Sequence, residues 1–423
     1  MKISSSSSSY STAFALNRYS NLSLDHDDSE SSVLVKTIGK YKVAILNRPQ
    51  ALNAIDNTVV VPLFRLYRSW ETDPNVGIVI IKGNNQAFSA GGDVVKIYHK
   101  LIAGKLDECK NIFRVTYTLI HLTSCFCKPN VAIWNGLTVG SGSGISALSK
   151  FRVATDKTIF SLPETQIGLH PDSGASYYLP RLPGFLGEYL ALTGDRLNGS
   201  ELVVCGLATH YIHAKKIPLI EEKLAQLESN DLSAIRRLLD NYSDATQLHT
   251  KSILNRMAMI NECFGCDSVE GIIAALEKKG SGVDEAWCNS VLKKLKTASP
   301  LCLKVALKSI RLGRSQTIEQ CLVREYWMTV QAFHGVVSRD FYEGVRSRLV
   351  DKTFAPKWDP PSLNQVSEER VNQYFAPLSP TEPPLQLPSS HRLENIIVSK
   401  NLTKSLSAKR TSLKPYNHLQ ARL

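Results

Sequence analysis

The chain has 423 residues, 43% hydrophobic and 21% charged, the make-up of a globular protein with core enough for one large domain or two. No apolar run approaches the roughly 18 residues of a membrane-spanning helix. The net charge of +12 is uneven, because residues 396–423 hold Lys400, Lys404, Lys409, Arg410, Lys414 and Arg422 and no acid, leaving the body only mildly basic. Such a tail binds nucleic acid or an acidic partner, or is simply solvated.

From the N-terminus, residues 1–32 read as a Ser-rich leader that resembles an organelle transit peptide. "VLVKTIGKYKVAILNRP" alternates apolar and polar residues about Gly39-Lys40, the pattern of a hairpin. "PQALNAIDNTVVVPLFRLYRSWE" has helical spacing through Val60, Leu63, Leu66 and Trp70. "VGIVIIKG" is a continuous β-branched run, expected to be buried on both faces, and "PNVAIWNG" is a second short strand. Between them "DECKNIFRVTYTLIHLTSCF" is helical, and "GISALSKFRVAT" reads as helix into strand. The fold class is therefore α/β over residues 33–217. Residues 218–375 carry only amphipathic helices, with N-caps expected at Ser268 and Thr317 and Pro300 opening a third. Proline-rich "LSPTEPPLQLPSS" marks the end of the folded body, with 376–423 expected to be disordered.

Nine cysteines, an odd count lying mostly in apolar helical patterns, imply reduced thiols inside a cell. Cys263 and Cys266 match C-x-x-C, but no second pair stands at zinc spacing, so no metal site is expected. The last three residues, Ala421-Arg422-Leu423, are a variant of the S-K-L peroxisomal address.

Two glycine-rich turns, "AFSAGGD" and "GLTVGSGSG", each follow a buried strand. Neighbouring turns of this kind can aim a pair of backbone N–H groups at one point, which an oxyanion formed from a carbonyl needs. A dinucleotide reading of Gly142-Ser143-Gly144-Ile145-Ser146-Ala147 lacks the acid expected about 20 residues on. There is neither a phosphate loop nor a G-x-S-x-G elbow.

Five blocks, "LNRPQALNAI", "AFSAGGDV", "GLTVGSGSGISALSKFRVAT", "PETQIGLHPDSGASYYLPRLPG" and "ALTGDRLNGSELVVCGLATH", in this order resemble the enoyl-CoA hydratase/isomerase (crotonase) superfamily. "LVDKTFAPKWDPPSL" is similar to its 3-hydroxyisobutyryl-CoA hydrolase branch, and the likeness runs from Val33 to Phe375. The resemblance implies a spiral of β-β-α units with C-terminal helices, an acyl-CoA substrate, no cofactor beyond the CoA it carries, and a homo-oligomer. It implies an oxyanion hole from the N–H groups of Gly92 and Ser141, and CoA packed near Ala51 and along Ala90, Gly91 and Asp93. Hydratases of the family carry two glutamates; here the first position is Gly144 and only Glu164 remains. Glu164 is thus expected to be the catalytic carboxylate, activating water or attacking the thioester directly, with Asp172 binding the substrate's 3-hydroxyl.

Three positions depart from the branch. Ser141 replaces a glycine, Thr116 stands where a substrate-contacting glutamate is usual, and His170 replaces an apolar aromatic, as a proton shuttle or a hydrogen-bonded spectator. The resemblance therefore implies hydrolysis of 3-hydroxyisobutyryl-CoA, or of another short 3-hydroxyacyl-CoA such as 3-hydroxypropionyl-CoA, in the mitochondrial matrix, with the peroxisome as the alternative. The rival reading is a scaffold in the small subunit of the mitochondrial ribosome, which the basic tail and the altered Thr116 position suit.

Overall fold

The computed structural model describes residues 31–84, 86–227, 230–280, 284–379 and 382–387. The leader, the basic tail and the terminal Ala421-Arg422-Leu423 lie outside these residues. β1 (Val33–Ile38) and β2 (Tyr41–Leu46) form the expected hairpin, with Ile38 opposite Tyr41 across the turn. Four parallel strands extend it: β3 (Ile78–Gly83), β5 (Asn130–Trp134), β7 (Phe151–Ala154) and β10 (His210–Tyr211), in the order β1-β2-β3-β5-β7-β10. The β-branched run of β3 is buried on both faces. Val79 and Ile81 join the larger core, while Ile78 and Ile80 meet a second cluster on the opposite face.

A smaller sheet of short strands stands beside the first. β4 (Ala87–Ser89), β6 (Leu137–Val139) and β8 (Ile159–Ser161) are parallel, and β9 (Leu197–Asn198) closes the edge antiparallel. Each of β4 and β6 follows closely on a strand of the large sheet, so one chain segment supplies a strand to each layer and then turns back through a helix.

The helix Asn57–Thr72 buries Val60, Leu63 and Trp70 as its spacing predicts, and Asp56 caps it by accepting from Thr58 N. The helix expected after the second glycine turn is shorter than the pattern suggests: one turn, Ser141–Gly144, before irregular chain leads to β7. Beyond 217 the chain is helical. Ser268 and Thr317 cap as expected, and Gln320 completes a capping box with Thr317. The helices Ile217–Ala225 and Leu232–Tyr242 cover the second face of the large sheet through Ile220, Leu224, Ile235 and Leu239. Later helices, Pro300–Gly313 and Ile318–His334 among them, share one hydrophobic cluster with the α/β core. The boundary at 217 divides the chain but not the core.

The expectation that order ends at residue 376 is corrected over a short stretch. Leu385 is 5% exposed, and Leu378 and Leu387 pack on the core. Glu382 forms ion pairs with Lys110 at 2.6 Å and Arg114 at 3.3 Å and accepts from Tyr326 Oη at 3.2 Å. Proline composition made this strap look solvated; a buried leucine and a shielded acid fix it.

Candidate active site

Three parallel strands of the small sheet end at one place. β4 leads into Ala90-Gly91-Gly92, β6 into Gly140-Ser141, and β8 into Leu162-Pro163-Glu164. The register Ser89↔Thr138 and Val139↔Ser161 sets the three exits side by side. Gly140 adopts φ +52°, and a Cβ there would lie 2.8 Å from Glu164 Oε1. The Ser141 hydroxyl lies 3.7 Å from where a Cβ on Gly92 would be. Gly92, Ser141 and Glu164 are therefore mutual neighbours.

The two N–H groups assigned to an oxyanion hole are both free. Ile55 pairs with the Gly91–Asp93 strand through Ile55 N to Gly91 O and Asp93 N to Ile55 O, which turns the Gly92 N–H to the other side. Ser141 opens a helical turn, where a first-turn N–H has no carbonyl behind it. Neither N–H has a partner among the described residues.

Three acids share the buried region behind these amides. Glu164, at the start of the 3-10 turn Glu164–Ile167, is 6% exposed, and its Oε2 has no hydrogen-bond partner among the described residues. Burial, reinforced by the nearby charge of Asp172, holds its carboxyl well above the ordinary carboxylate range. Asp172 is 3% exposed; burial pushes it up to about 6, against the hydrogen bond from Tyr117 Oη at 2.6 Å, with Ser173 Oγ 3.2 Å from the same oxygen. The third acid, Glu325, escaped the sequence reading. It is fully buried on the helix Ile318–His334 and accepts from Gly174 N, Ser176 N and Ser176 Oγ at 2.7, 2.9 and 2.6 Å. Burial raises it to about 7. Its signal in the sequence was an acid on the apolar stripe that also holds Leu322, Met328 and Thr329.

The remaining expected residues divide. Ala51 ends a 3-10 turn, Pro49–Ala51, whose following residue Leu52 accepts from Ala90 N at 2.9 Å, so Ala51, Ala90 and Gly91 border one surface. Asp93 caps the helix Val94–Ile102 and pairs with Arg48 at 3.1 Å, while its own N–H and carbonyl are taken by Ile55 O and Ile97 N, both at 2.9 Å. Thr116 does not take over the contact of the missing glutamate: its hydroxyl donates to Ile112 O within its own helix, Leu106–Ser124. The next residue, Tyr117, is the one that reaches Asp172. His170 is 1% exposed, and burial lowers it to about 3, so it stays neutral; Nε2 lies 3.5 Å from Thr329 Oγ1. Its Nδ1 is buried with no partner among the described residues. Among the described residues no three His, Cys, Asp or Glu side chains are grouped to hold a metal ion.

A family model described as enoyl-CoA hydratase/isomerase matches residues 41–375. The chain belongs to the enoyl-CoA hydratase/isomerase family. It is 49% identical over 368 residues to 3-hydroxyisobutyryl-CoA hydrolase-like protein 1, mitochondrial, of Arabidopsis thaliana, covering 87% of this chain and 92% of that one. It is 48% identical over 375 residues to small ribosomal subunit protein mS47 of the same plant, covering 88% and 92%. Among solved structures, a carnitinyl-CoA dehydratase from Mycobacterium thermoresistibile superposes with a TM-score of 0.77 at 32% identity, covering 85% of this chain and 100% of that one. The fold is the crotonase fold.

Within this family the loss of the first glutamate is structural as well as chemical. A Cβ at Gly144 would stand 2.4 Å from Ser173 O and 2.5 Å from Ser173 Cβ. Ser173 holds φ +58°, a left-handed conformation unusual for serine, and fills the space a side chain at 144 would enter.

Proposed function

We propose that the protein hydrolyses the thioester of 3-hydroxyisobutyryl-CoA to 3-hydroxyisobutyrate and CoA. The observation that carries this reading is the pair of unpartnered N–H groups, Gly92 and Ser141, beside one buried carboxylate, Glu164, with no room for a second acid at 144. A thioester carbonyl takes both N–H bonds as its oxygen gains charge, where each donor is worth about 10²–10³-fold in rate. Glu164 removes a proton from water as the water oxygen bonds to the carbonyl carbon; collapse of the tetrahedral oxyanion breaks the C–S bond, and Glu164 returns the proton to the leaving thiolate. Direct attack by Glu164, giving an anhydride that water then opens, uses the same geometry. Neither route needs a metal or a resident cofactor. Asp172 accepts the substrate's 3-hydroxyl on the oxygen that Tyr117 and Ser173 leave open.

The raised position of Glu164 supplies a base whose proton affinity is nearer neutrality than that of a free carboxylate. kcat/KM should therefore rise with pH through a value above the usual carboxylate range. Glu164→Gln should lower turnover about 10²–10⁴-fold while leaving CoA-ester affinity within a few-fold, read by release of CoA thiol and by calorimetry. Unchanged turnover rejects the assignment. A mitochondrial setting accords with the name of the hydrolase-like Arabidopsis relative.

The near-equal identity to mS47 supports a second reading, a ribosomal scaffold. Co-sedimentation with small ribosomal subunits at moderate salt, without thiol release from the ester, favours it over the enzyme.

A further inference from the structure

We propose that the Ser141 side-chain hydroxyl is a third donor to the oxyanion, so that this chain holds the thioester oxygen with two amides and one hydroxyl. The inference rests on the acyl-CoA reading above and concerns the side chain of a residue so far assigned only its backbone N–H.

Three observations converge on the Ser141 hydroxyl. Ser173 Oγ has a single proton and stands 2.8 Å from Ser141 Oγ and 3.2 Å from Asp172 Oδ2; we assign that proton to the shorter contact, leaving Asp172 Oδ2 to the Tyr117 hydroxyl at 2.6 Å. With its lone pair taken in this way, Ser141 keeps its own proton, and that proton has no acceptor among the described residues. The other hydroxyls of the turn are occupied: Ser143 donates to Gly140 O at 2.7 Å, and Ser146 to Ser143 O at 3.2 Å. Finally, Ser141 is 7% exposed, and its hydroxyl stands 3.7 Å from the Cβ position of Gly92, whose N–H is the first oxyanion donor. The hydroxyl thus lies beside the Gly92 and Ser141 N–H groups, which also lack acceptors among the described residues, and can join them in donating to a bound carbonyl oxygen.

The arrangement is held from behind. Ser173 is kept in its left-handed conformation next to Gly174, whose N–H is tied to Glu325. Ser173 is thus a positioning residue: it accepts nothing from the substrate but turns the Ser141 proton toward it. A hydroxyl that accepts one hydrogen bond is also polarised into a better donor.

The test uses the full chain and 3-hydroxyisobutyryl-CoA. Ser141→Ala and Ser141→Gly both keep the backbone N–H and remove the hydroxyl. Each should lower kcat about 10- to 100-fold with KM within about two-fold, since the bond is made to charge that develops only in the transition state. In a Glu164→Gln background, where the ester is not consumed, the infrared carbonyl stretch of the bound thioester should move to lower frequency with Ser141 present and less so without it. Ser173→Ala should give a smaller loss, and none beyond Ser141→Ala in the double variant. If wild type hydrolyses the ester while both Ser141 variants keep kcat within two-fold and leave the carbonyl frequency unmoved, the hydroxyl is a bystander and only this assignment falls. If wild type neither hydrolyses the ester nor shifts its carbonyl, the acyl-CoA reading and the third donor fall together.

Discussion

Glu325→Gln separates a buried charge from the hydrogen bonds it makes. The wild-type carboxylate is fully buried and receives three hydrogen bonds from the Gly174–Ser176 turn. Burial lifts its pKa from 4.5 to about 7, a displacement equivalent to about 3 kcal/mol. Because the folded value is the higher one, the contribution of this group to stability is complete below the unfolded value and is lost as pH rises through about 7. Glutamine keeps the shape and one acceptor, but turns an amide NH₂ toward Gly174 N. Below about pH 7 the folded carboxyl is itself protonated and neutral, so glutamine gives up at most one ordinary hydrogen bond, about 0.5–1.5 kcal/mol, and has no titration to lose. Wild type should therefore be the more stable by about 1 kcal/mol near pH 5 and the less stable by pH 8, the difference moving by about 3 kcal/mol across that range. Urea midpoints of both proteins at four pH values across that range read it directly. Parallel profiles, with a gap constant to about 0.5 kcal/mol, would show that Glu325 does not titrate there and would refute the electrostatic account.

Gly144→Glu restores the second glutamate of the hydratases in sequence only. Its Cβ meets Ser173 O at 2.4 Å, so the variant should lose about 3 kcal/mol of stability and hydrate no enoyl-CoA; a fully stable variant would contradict the packing. Tyr117→Phe removes a bond that lowers the pKa of Asp172, which therefore rises further above about 6. The resulting stability deficit should grow from pH 5 to pH 8, to about 2 kcal/mol; a deficit independent of pH would remove Asp172 from the explanation. Glu382→Ala leaves Lys110, whose side chain is 8% exposed, with only Asp107 at 3.5 Å as a carboxylate partner, and takes from Arg114 its ion pair to the strap. It should cost about 2 kcal/mol and hasten proteolysis within 376–387 while leaving the core intact; unchanged cleavage would mean that the ion pairs do not hold the strap.

Much of the site was legible because its parts are backbone features with strong local signatures. Gly-rich turns after buried β-branched runs announce amides that a side chain would cover, and Gly92, Ser141 and Glu164 each follow a strand. Where local signals lack direction, the reading fell short. Thr116 and Tyr117 are neighbours on one helix, and no periodicity says which meets an aspartate 55 residues away. Glu325 is separated from its partner Ser176 by 149 residues. The strap at Glu382 was hidden by prolines, whose composition is shared by solvated tails and docked ones alike.

The sequence by itself determined the alternation of strands and helices, the caps at Ser268 and Thr317, the glycine at position 144, and the family to which these blocks belong. These follow from side-chain chemistry and backbone preference acting over a few residues. Only the tertiary structure decided that three strand exits meet, that Ser173 closes the space at Gly144, and that Asp172, Glu164 and Glu325 lie in one buried region that lifts the proton affinity of each. Burial and charge proximity are properties of distance in space, and only packing turns separation along a chain into that distance.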